Sequence, residues 1–566
     1  MAAEAAVMYV TAERAEPSTA KSNMKRKAAP YLAEFVGTFV LCFTVGCCGL
    51  SPALSRWGPL AVALVLMAMV YAAGPISGGH LNPAVSLSLG MVGAIPCGTA
   101  VKYSAVQLVA GISAAACCCL LFSPRSTSIE PVAPFGVWHA LLAELVYTFM
   151  LALVVSSSVV PERNNPKDDA NQFYGLATGL VIVAGGYSVQ NISGACFNPA
   201  VSLGSALAGT GWSYGFAWTA AELLGSILAA MAFHALWPEE LVLPMRGQGE
   251  VVPSLLRRCG GECLGTFFLV LTVGLNVTMS SPASALSAAA ALTCMVYSLG
   301  NLSGGHFNPA VTVAVAASGR GCCSVAYILS QILGAVAAGR LYAQFHAAGH
   351  NRSFTYGLGP GRNYGHTAAG VAELVFTCVL AYAVLACTSM APSKATGQNF
   401  YYALAIGSCI MVGGIAIGAV SGGELNPAVS IGMAVASHAH HGEVAPKPFT
   451  NCVFFSLWEL AGGILATVYF RLTHPEVYMQ AKAPAAAPPL PPPTSTRDAG
   501  ALGQDEEDEA DYYEIQVPPG VAPGKLLGVT LPDGRQLALP LPEGYAAGAA
   551  LELRYSAATG TLTLVK

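Results

Sequence analysis

Residues 77–90, SGGHLNPAVSLSLG, carry the motif that sets the architecture of this chain. Two glycines are followed by Asn82, Pro83 and Ala84 and then by a short apolar run. Proline suits the first turn of a helix, because its missing N–H group would have no partner there, and Asn is favoured just before it. About ten apolar residues are too few to cross a bilayer, which takes about twenty. We therefore expect a half-helix that begins inside the membrane, where irregular backbone must line a cavity or lie against protein.

The same motif occurs four times at matched positions. SGGHFNPAVTVAVA at 303–316 repeats the opening segment at an offset of 226. SGGELNPAVSIGMAVAS at 421–437 repeats SGACFNPAVSLGSALAG at 193–209 at an offset of 228. One such triplet would be an ordinary helix start, whereas four at matched positions indicate a structural element that the chain repeats. The twelve motif residues are Asn82, Pro83, Ala84, Asn198, Pro199, Ala200, Asn308, Pro309, Ala310, Asn426, Pro427 and Ala428.

Composition places these motifs in a membrane. Of the 566 residues, 54% are hydrophobic and 10% are charged, whereas about a quarter are charged in soluble domains. Only 31 charged residues fall in the 453 residues of 28–480, so this part must face the lipid bilayer. The composition excludes a soluble enzyme, and the net charge of −4 gives no cationic field for nucleic acid. We predict no catalytic residues, no cofactor and no metal site.

Twelve apolar runs of membrane-spanning length, roughly 17–25 residues, form two sets of six, and the repeat period makes the sets tandem copies. The runs lie near 31–51, 57–76, 100–122, 136–160, 173–189, 212–236, 259–279, 284–302, 323–345, 367–390, 400–418 and 448–472. We divide the chain into an N-terminal tail (1–30), a first unit (31–238), a linker (239–257), a second unit (258–475), a Pro-rich and acidic linker (476–511) and a small β module (512–566).

Each unit is predicted to be an inverted repeat. Its two Asn-Pro-Ala motifs are three spans apart, so their half-helices enter the membrane from opposite sides. Their N-termini then meet near the centre, and each carries a partial positive charge that repels cations. Asn amides can donate hydrogen bonds to a passing oxygen, and the carbonyl groups of the preceding loop can accept them. Such a pore passes neutral polar molecules and rejects cations.

These segments resemble the major intrinsic protein family, the aquaporins and glycerol facilitators. The text ExxGTF around Glu34 recurs at Glu262, and AELVYTF around Glu144 recurs as AELVFTC around Glu373. The resemblance covers about 440 residues and implies an all-α membrane protein of two tandem aquaporin-like units, each with six transmembrane helices and two half-helices. It also implies that these four acids brace the pore loops. Because family members generally form tetramers, it implies a homodimer with four pores.

The second motif of each unit departs from the family pattern. The family usually continues this motif with an Arg of the selectivity filter, but Val201 and Val429 stand there. The resemblance then implies wide, weakly polar filters that pass water and small neutral solutes, with glycerol, urea, ammonia and peroxide as candidates. Cys196 and Glu424 are pore-mouth candidates. By the family spacing the filter residues are Val62, Gly186, Ala195 and Val201 in the first unit and Ala288, Gly414, Gly423 and Val429 in the second.

Two other classes stay open on the sequence. A twelve-span secondary transporter for a small solute has the same number of helices, and Glu222 and Glu459 at matching places in the sixth spans are the intramembrane charges it would need. A membrane-tethered scaffold would make the tail the functional part. Passive flux through the reconstituted protein distinguishes a channel from both.

Charge and turn signals place the ends of the chain. Four basic residues lie at 21–27 and three more at 246–258, so the positive-inside rule predicts that both termini of this multi-pass protein are cytosolic. From Tyr512, short apolar runs separated by PDG and PEG predict the β module. Nothing in its sequence identifies a partner.

Overall fold

In the computed structural model the chain divides into two compact units. Ala28–Pro484 forms one unit, and Met1–Lys27 with Ala485–Lys566 forms the other. The described residues are 8–11, 13–14, 20–51, 56–165, 170–241, 252–319, 324–348, 357–389, 401–441, 447–475, 510–516, 526–530, 536–540, 550–556 and 561–564.

Long helices dominate the described residues of the larger unit. Ten of them are long and apolar enough to cross a membrane, which confirms the prediction of a multi-pass helical membrane protein. The other two, α6 and α14, coincide with predicted spans. The long helices are α1 (Ala20–Leu50), α2 (Gly58–Ser77), α4 (Cys97–Leu121), α5 (Val137–Val159), α6 (Tyr174–Ser193), α8 (Trp212–Leu236), α9 (Leu255–Thr278), α10 (Ser284–Ser303), α12 (Ser324–Ala348), α13 (His366–Ser389), α14 (Tyr402–Ile417) and α16 (Thr450–Thr473).

Four shorter helices begin at the motif prolines. They are α3 (Pro83–Met91), α7 (Pro199–Ala208), α11 (Pro309–Ala317) and α15 (Pro427–His441), and a short 3-10 helix follows α8 at Pro238–Leu241. In the first unit α3 and α7 contact each other and both pack on α4 and α8; in the second, α11 and α15 contact each other and both pack on α12 and α16. Gly111 of α4 permits this approach, because a Cβ atom there would overlap the carbonyl oxygen of Ala200.

The first helix starts earlier than the predicted span at 31. Residues 20–27 continue α1 beyond the apolar stretch Ala28–Leu50. Lys and Ala are good helix formers in any solvent, so the basic segment extends the helix although it is too polar to lie among lipid tails. The boundary between tail and helix cannot be seen from hydropathy alone.

The two six-helix sets pack against each other through α5 and α6 of the first and α9 and α10 of the second. The contact contains buried polar pairs: the Tyr147 and Thr272 hydroxyls lie 3.0 Å apart, and Asn276 Nδ2 donates to Ser188 Oγ at 2.9 Å. Paired buried hydroxyl and amide groups specify one register between apolar helices. The halves of the chain are therefore docked in a defined arrangement.

The smaller unit contains two sheets in its described residues. β1 pairs with β4 in parallel, and the other pairings are antiparallel, with strand orders β1-β4-β5 and β2-β3-β6-β7. The first two strands belong to the segment predicted as a tail. The strands are β1 (Met8–Thr11), β2 (Glu13–Arg14), β3 (Ala510–Gln516), β4 (Leu526–Thr530), β5 (Gln536–Pro540), β6 (Ala550–Ser556) and β7 (Thr561–Leu564).

Candidate functional site

Each motif Asn caps its own half-helix. The Oδ1 atom of Asn82 accepts a hydrogen bond from the Ala84 N–H group at 2.9 Å, and proline occupies the first helical position. The same bond recurs at the other three motifs. It measures 2.9 Å from Ala200 to Asn198, 2.8 Å from Ala310 to Asn308 and 2.9 Å from Ala428 to Asn426.

The amide nitrogen of each Asn reaches across to the opposite half-helix. Asn82 Nδ2 donates to the Phe197 carbonyl at 2.8 Å, and Asn198 Nδ2 donates to the Leu81 carbonyl at 3.0 Å. In the second unit Asn308 bonds to Leu425 and Asn426 bonds to Phe307, at 2.8 and 2.9 Å. Each amide group has two N–H donors, and this bond uses one of them. The reciprocal bonds hold the two helix N-termini together.

The residue before each Asn is strained. Leu81, Phe197, Phe307 and Leu425 have φ values of 51°, 51°, 46° and 56°, in the left-handed region that costs a residue with a side chain on the order of 1–3 kcal/mol. In this conformation the carbonyl group of the strained residue itself accepts the hydrogen bond from the opposite Asn. A strong acceptor for the N–H group of each strained residue is therefore needed to hold it.

Buried acids supply that acceptor. Glu34 of α1 accepts from the Leu81 N–H group at 2.7 Å and the His80 N–H group at 3.0 Å. It also accepts from the Ser77 hydroxyl at 2.6 Å and from Gln107 Nε2 at 2.7 Å. Its side chain is 0% exposed, so all four bonds are protected from water.

The other three acids make equivalent contacts from α5, α9 and α13, and each is buried. Glu144 accepts from Ser193, Cys196 and Phe197 at 2.5, 3.1 and 2.8 Å. Glu262 accepts from Ser303, His306, Phe307 and Gln331 at 2.7, 3.0, 2.7 and 2.8 Å. Glu373 accepts from the N–H groups of Glu424 and Leu425 at 3.1 and 2.8 Å.

Two further buried acids, Glu222 of α8 and Glu459 of α16, bind the start of the second half-helix. Glu222 accepts from the Asn198 N–H group at 3.1 Å and the Ser202 hydroxyl at 2.8 Å. Glu459 accepts from the Asn426 N–H group at 3.2 Å and the Ser430 hydroxyl at 2.9 Å. These carboxyl groups are engaged with protein donors rather than facing a central solute site.

A cavity lies at the half-helix junction of the first unit. Three predicted filter residues line it, whereas Gly186 packs against Pro59, where a Cβ atom would come within 2.7 Å of the proline ring. The lining includes Val62, His80, Asn82, Ala195, Cys196, Asn198 and Val201.

A second cavity lies in the second unit. All four predicted filter residues of this unit, Ala288, Gly414, Gly423 and Val429, line it together with Glu424. The rest of the wall is mostly apolar, with Leu269, Val273 and Ile410 among its members. At corresponding positions the first cavity has the thiol of Cys196 and the second has the carboxyl group of Glu424.

One group of side chains in the described residues has metal-ligand character. Ligand atoms of Glu144, Cys196 and Glu222 all lie within 4.8 Å of one another. Both carboxyl groups already accept hydrogen bonds from the loop and the half-helix. These bonds explain why the three side chains lie together: the two acids hold the loop and the half-helix that follows it.

Sequence reasoning missed the glutamines that complete the brace on the first half-helix. Gln107 and Gln331 occupy the same place in the third long helix of each unit, in YSAVQ and YILSQ, an offset of 224. That repeat was the available signal. Buried polar residues at matched places of a duplicated membrane chain point to a shared partner.

The architecture is that of a channel-forming membrane protein, with two tandem sets of six long helices and two opposed half-helices. A family model described as "Major intrinsic protein" matches residues 20–233 and again 251–470. The chain belongs to this family, with two units in tandem. Proteins of this family are channels rather than enzymes.

Similar proteins match one unit at a time. The chain is 31% identical over 244 residues to aquaporin AqpM of Methanothermobacter thermautotrophicus, covering 37% of this chain and 97% of the relative. It is 35% identical over 223 residues to a probable aquaporin TIP-type alpha of Phaseolus vulgaris, covering 37% and 86%. The X-ray structure of the aquaglyceroporin from Plasmodium falciparum aligns at 21% identity and a TM-score of 0.35, covering 40% of this chain and all of that one.

Proposed function

We propose that each unit is a passive channel for water and small neutral solutes. The observation that carries this proposal is the pair of reciprocally bonded Asn side chains at the wall of the cavity in the first unit, a pairing that the second unit repeats, and the aquaporin relatives support it. Amide N–H groups that face a cavity in a low-dielectric wall replace the hydration of a passing neutral molecule.

Cation exclusion follows from the same junction. The N-termini of α3 and α7 meet, and α11 and α15 repeat the arrangement. Helix N-termini carry partial positive charge, which opposes the entry of cations and hydronium. Because valines stand where the family has its filter Arg, we attribute the barrier to the half-helices.

The filter is wide and weakly polar. Val201 and Val429 are 3% exposed and line the cavities of their units. Neither can donate a hydrogen bond, so little selects water against a larger neutral solute. We therefore include glycerol, urea, ammonia and peroxide among the candidate solutes.

The transporter alternative is not favoured. It requires Glu222 and Glu459 to bind a coupling ion or solute, but their oxygens hold the N–H groups of Asn198 and Asn426. A coupling ion would have to break the start of a half-helix in every cycle.

In proteoliposomes we expect passive flux of water and of small neutral solutes. The rate should rise linearly with the solute gradient and be independent of sodium and proton gradients, because a pore has no cycling step. Stopped-flow light scattering with sucrose, glycerol and urea gradients measures it. Protein-free liposomes and the variant L120A, at a residue 80% exposed on α4, are the controls; saturable, gradient-driven uptake contradicts the proposal.

We also propose that two chains form a four-pore assembly. The helices at the contact between units are mostly buried: 72% of the apolar stretch of α5, 67% of that of α9 and 83% of that of α10. The counterparts of these helices in the other unit are more exposed, with 44% of the apolar stretch buried in α13, 33% in α1 and 22% in α2. Leu64 of α2 is 51% exposed, but Ala290, its counterpart at the offset of 226, is 2% exposed. A second chain would cover the exposed faces with the interface already present within one chain.

Replacing Leu64 by Arg should therefore convert the dimer to a monomer, because a charge would enter an apolar helix contact. Native mass spectrometry in detergent measures the number of chains. L120A serves as the control because Leu120 lies outside this face. A particle of four chains in the wild type, or an unchanged dimer in L64R, contradicts the proposed assembly.

The ends of the chain complete the proposal. The basic residues at 21–27 and 246–258 support cytosolic termini by the positive-inside rule. We infer that residues 512–566 form a β module on that side, supported by the antiparallel pairing of β3 with β6 and of β4 with β5.

A further inference from the structure

At each of the four half-helices a buried polar side chain of a long helix bonds to a hydroxyl group in the first turns of the half-helix. On the first half-helix this side chain is an amide: Gln107 Nε2 donates to Glu34 at 2.7 Å and to Ser86 at 3.0 Å. Gln331 Nε2 donates to Glu262 at 2.8 Å and to Thr312 at 2.9 Å. On the second half-helix Glu222 lies beside Glu144 and accepts from Ser202. Glu459 accepts from Ser430 and from the N–H group of Asn426, next to the Leu425 N–H group that Glu373 binds. The hydroxyl residues Ser86, Ser202, Thr312 and Ser430 each lie four residues after the motif Asn.

A carboxyl group in that place cannot repeat the role of the amide unless it carries a proton. An ionised carboxylate only accepts hydrogen bonds, whereas the neutral form has one O–H donor. The carboxyl oxygens of Glu144 and Glu222 lie within 4.8 Å of each other. Two ionised carboxylates this close in a membrane interior repel strongly. One shared proton removes the repulsion and restores the missing donor.

The surroundings of both pairs point to a proton rather than a cationic side chain. In the described part of the chain the titratable groups around each pair are acids, thiols and a phenol. Oε2 of Glu459 has no hydrogen-bond donor there and is available to the proton. Around Glu222 these groups are Glu144 and Cys196, with Cys42 beyond Cys196. Around Glu459 they are Glu373, Glu424 and Cys452, with Tyr342 beside Glu424.

We propose that Glu222 and Glu459 are positioning residues of the two pores, each sharing one proton with the bracing acid of its unit, Glu144 or Glu373, and that conduction depends on this proton. The proposal rests on the channel function proposed above. With the proton in place, the pair bonds to the start of the second half-helix and keeps the motif Asn at the lumen. When base removes the proton to the solvent, the two carboxylates repel each other, and the bonds to Asn198 and Asn426 lose their fixed acceptor. Flux should then fall as the pH rises.

The test is the pH profile of water flux in proteoliposomes made from the full chain. For the wild type we expect flux to fall as the pH rises, with each pore going from about nine-tenths to about a tenth of its plateau within roughly two pH units, as one titrating proton per pore requires. E222Q/E459Q should conduct with a flat profile, because a glutamine amide donates to the bracing acid as Gln107 does. E222L/E459L should lose flux at every pH, since it removes the acceptor for the Asn N–H group. A flat wild-type profile, or a pH-dependent E222Q/E459Q profile, overturns the proposal.

A second measurement does not depend on conduction. Infrared difference spectra of the wild type between neutral and alkaline pH should show loss of a protonated-carboxyl C=O band, and E222Q/E459Q should lack this band. The matched variant Q107E/Q331E should add a band of the same kind, since it builds the pair at the first half-helices. If the protein conducts nothing at any pH but the band is present, the channel function fails while the shared proton stands. Absence of the band in the wild type rejects the shared proton.

Discussion

Replacing both Val201 and Val429 by Arg should suppress glycerol and urea flux while water flux remains measurable. Each valine lies three residues after a motif Asn and lines a cavity. An Arg there would introduce five N–H donors and a long side chain into an apolar wall. Water can pass a narrowed, polar constriction. A solute with a carbon skeleton would lose its contact with the apolar wall and would have less space in the constriction. We expect glycerol flux to fall by at least about tenfold, which corresponds to roughly 1.4 kcal/mol in the barrier.

The glycerol-to-water flux ratio in proteoliposomes is the measurement. V201M/V429M is the matched control, because methionine adds length without charge or donors. If the ratio falls equally in both variants, volume rather than polarity sets solute range; if it is unchanged in V201R/V429R, these valines are not at the filter. The single variants V201R and V429R report on the two pores separately.

Replacing Glu262 by Leu should unfold the loop that carries the third motif and destabilise the whole membrane domain. Four donors would lose their buried acceptor, two of them backbone N–H groups, and one of these belongs to the strained residue Phe307. Each unsatisfied buried donor costs about 1–3 kcal/mol, and the total is comparable with the stability of a typical domain, about 5–15 kcal/mol. We expect loss of flux through the second pore and a lower thermal unfolding temperature in detergent.

Thermal unfolding followed by intrinsic fluorescence, together with size-exclusion profiles, measures this effect. Glu130→Leu is the control, since Glu130 is exposed in a loop. Glu262→Gln should be intermediate, because an amide keeps one oxygen acceptor but turns its other group toward donors. A wild-type unfolding temperature for Glu262→Leu contradicts the role of this acid as the brace of the third motif.

The helical membrane architecture could be predicted because its signals are local. Apolar runs of membrane-spanning length coincide with the long helices, and an Asn-Pro pair marks the start of each short one. The side-chain contacts between distant parts of the chain could not be derived in the same way. The partners of Glu222 lie on another helix, and nothing in the sequence around residue 222 shows that it reaches Asn198. Matched positions such as 107 and 331 identify an important residue without identifying its contacts.

Filter positions show the same limit. They follow from counting along the chain, yet Val62 and Gly186, both obtained in this way, differ in whether they line the first cavity. The strands at 8–14 were missed for another reason. Their partners lie more than 490 residues away along the chain, and a segment of seven residues, MYVTAER, is too short to show a periodicity that would predict a strand.

Fusion of the two units fixes the proportion of two kinds of pore. Cys196 and Glu424 occupy corresponding positions beside the two cavities, and α5 and α6 of the first unit are bound to α9 and α10 of the second. In an assembly of two such chains the pores would alternate around a two-fold axis instead of being four identical ones. A compound that recognises only the thiol-bearing pore would then leave the carboxyl-bearing half of the conductance open, whatever its dose.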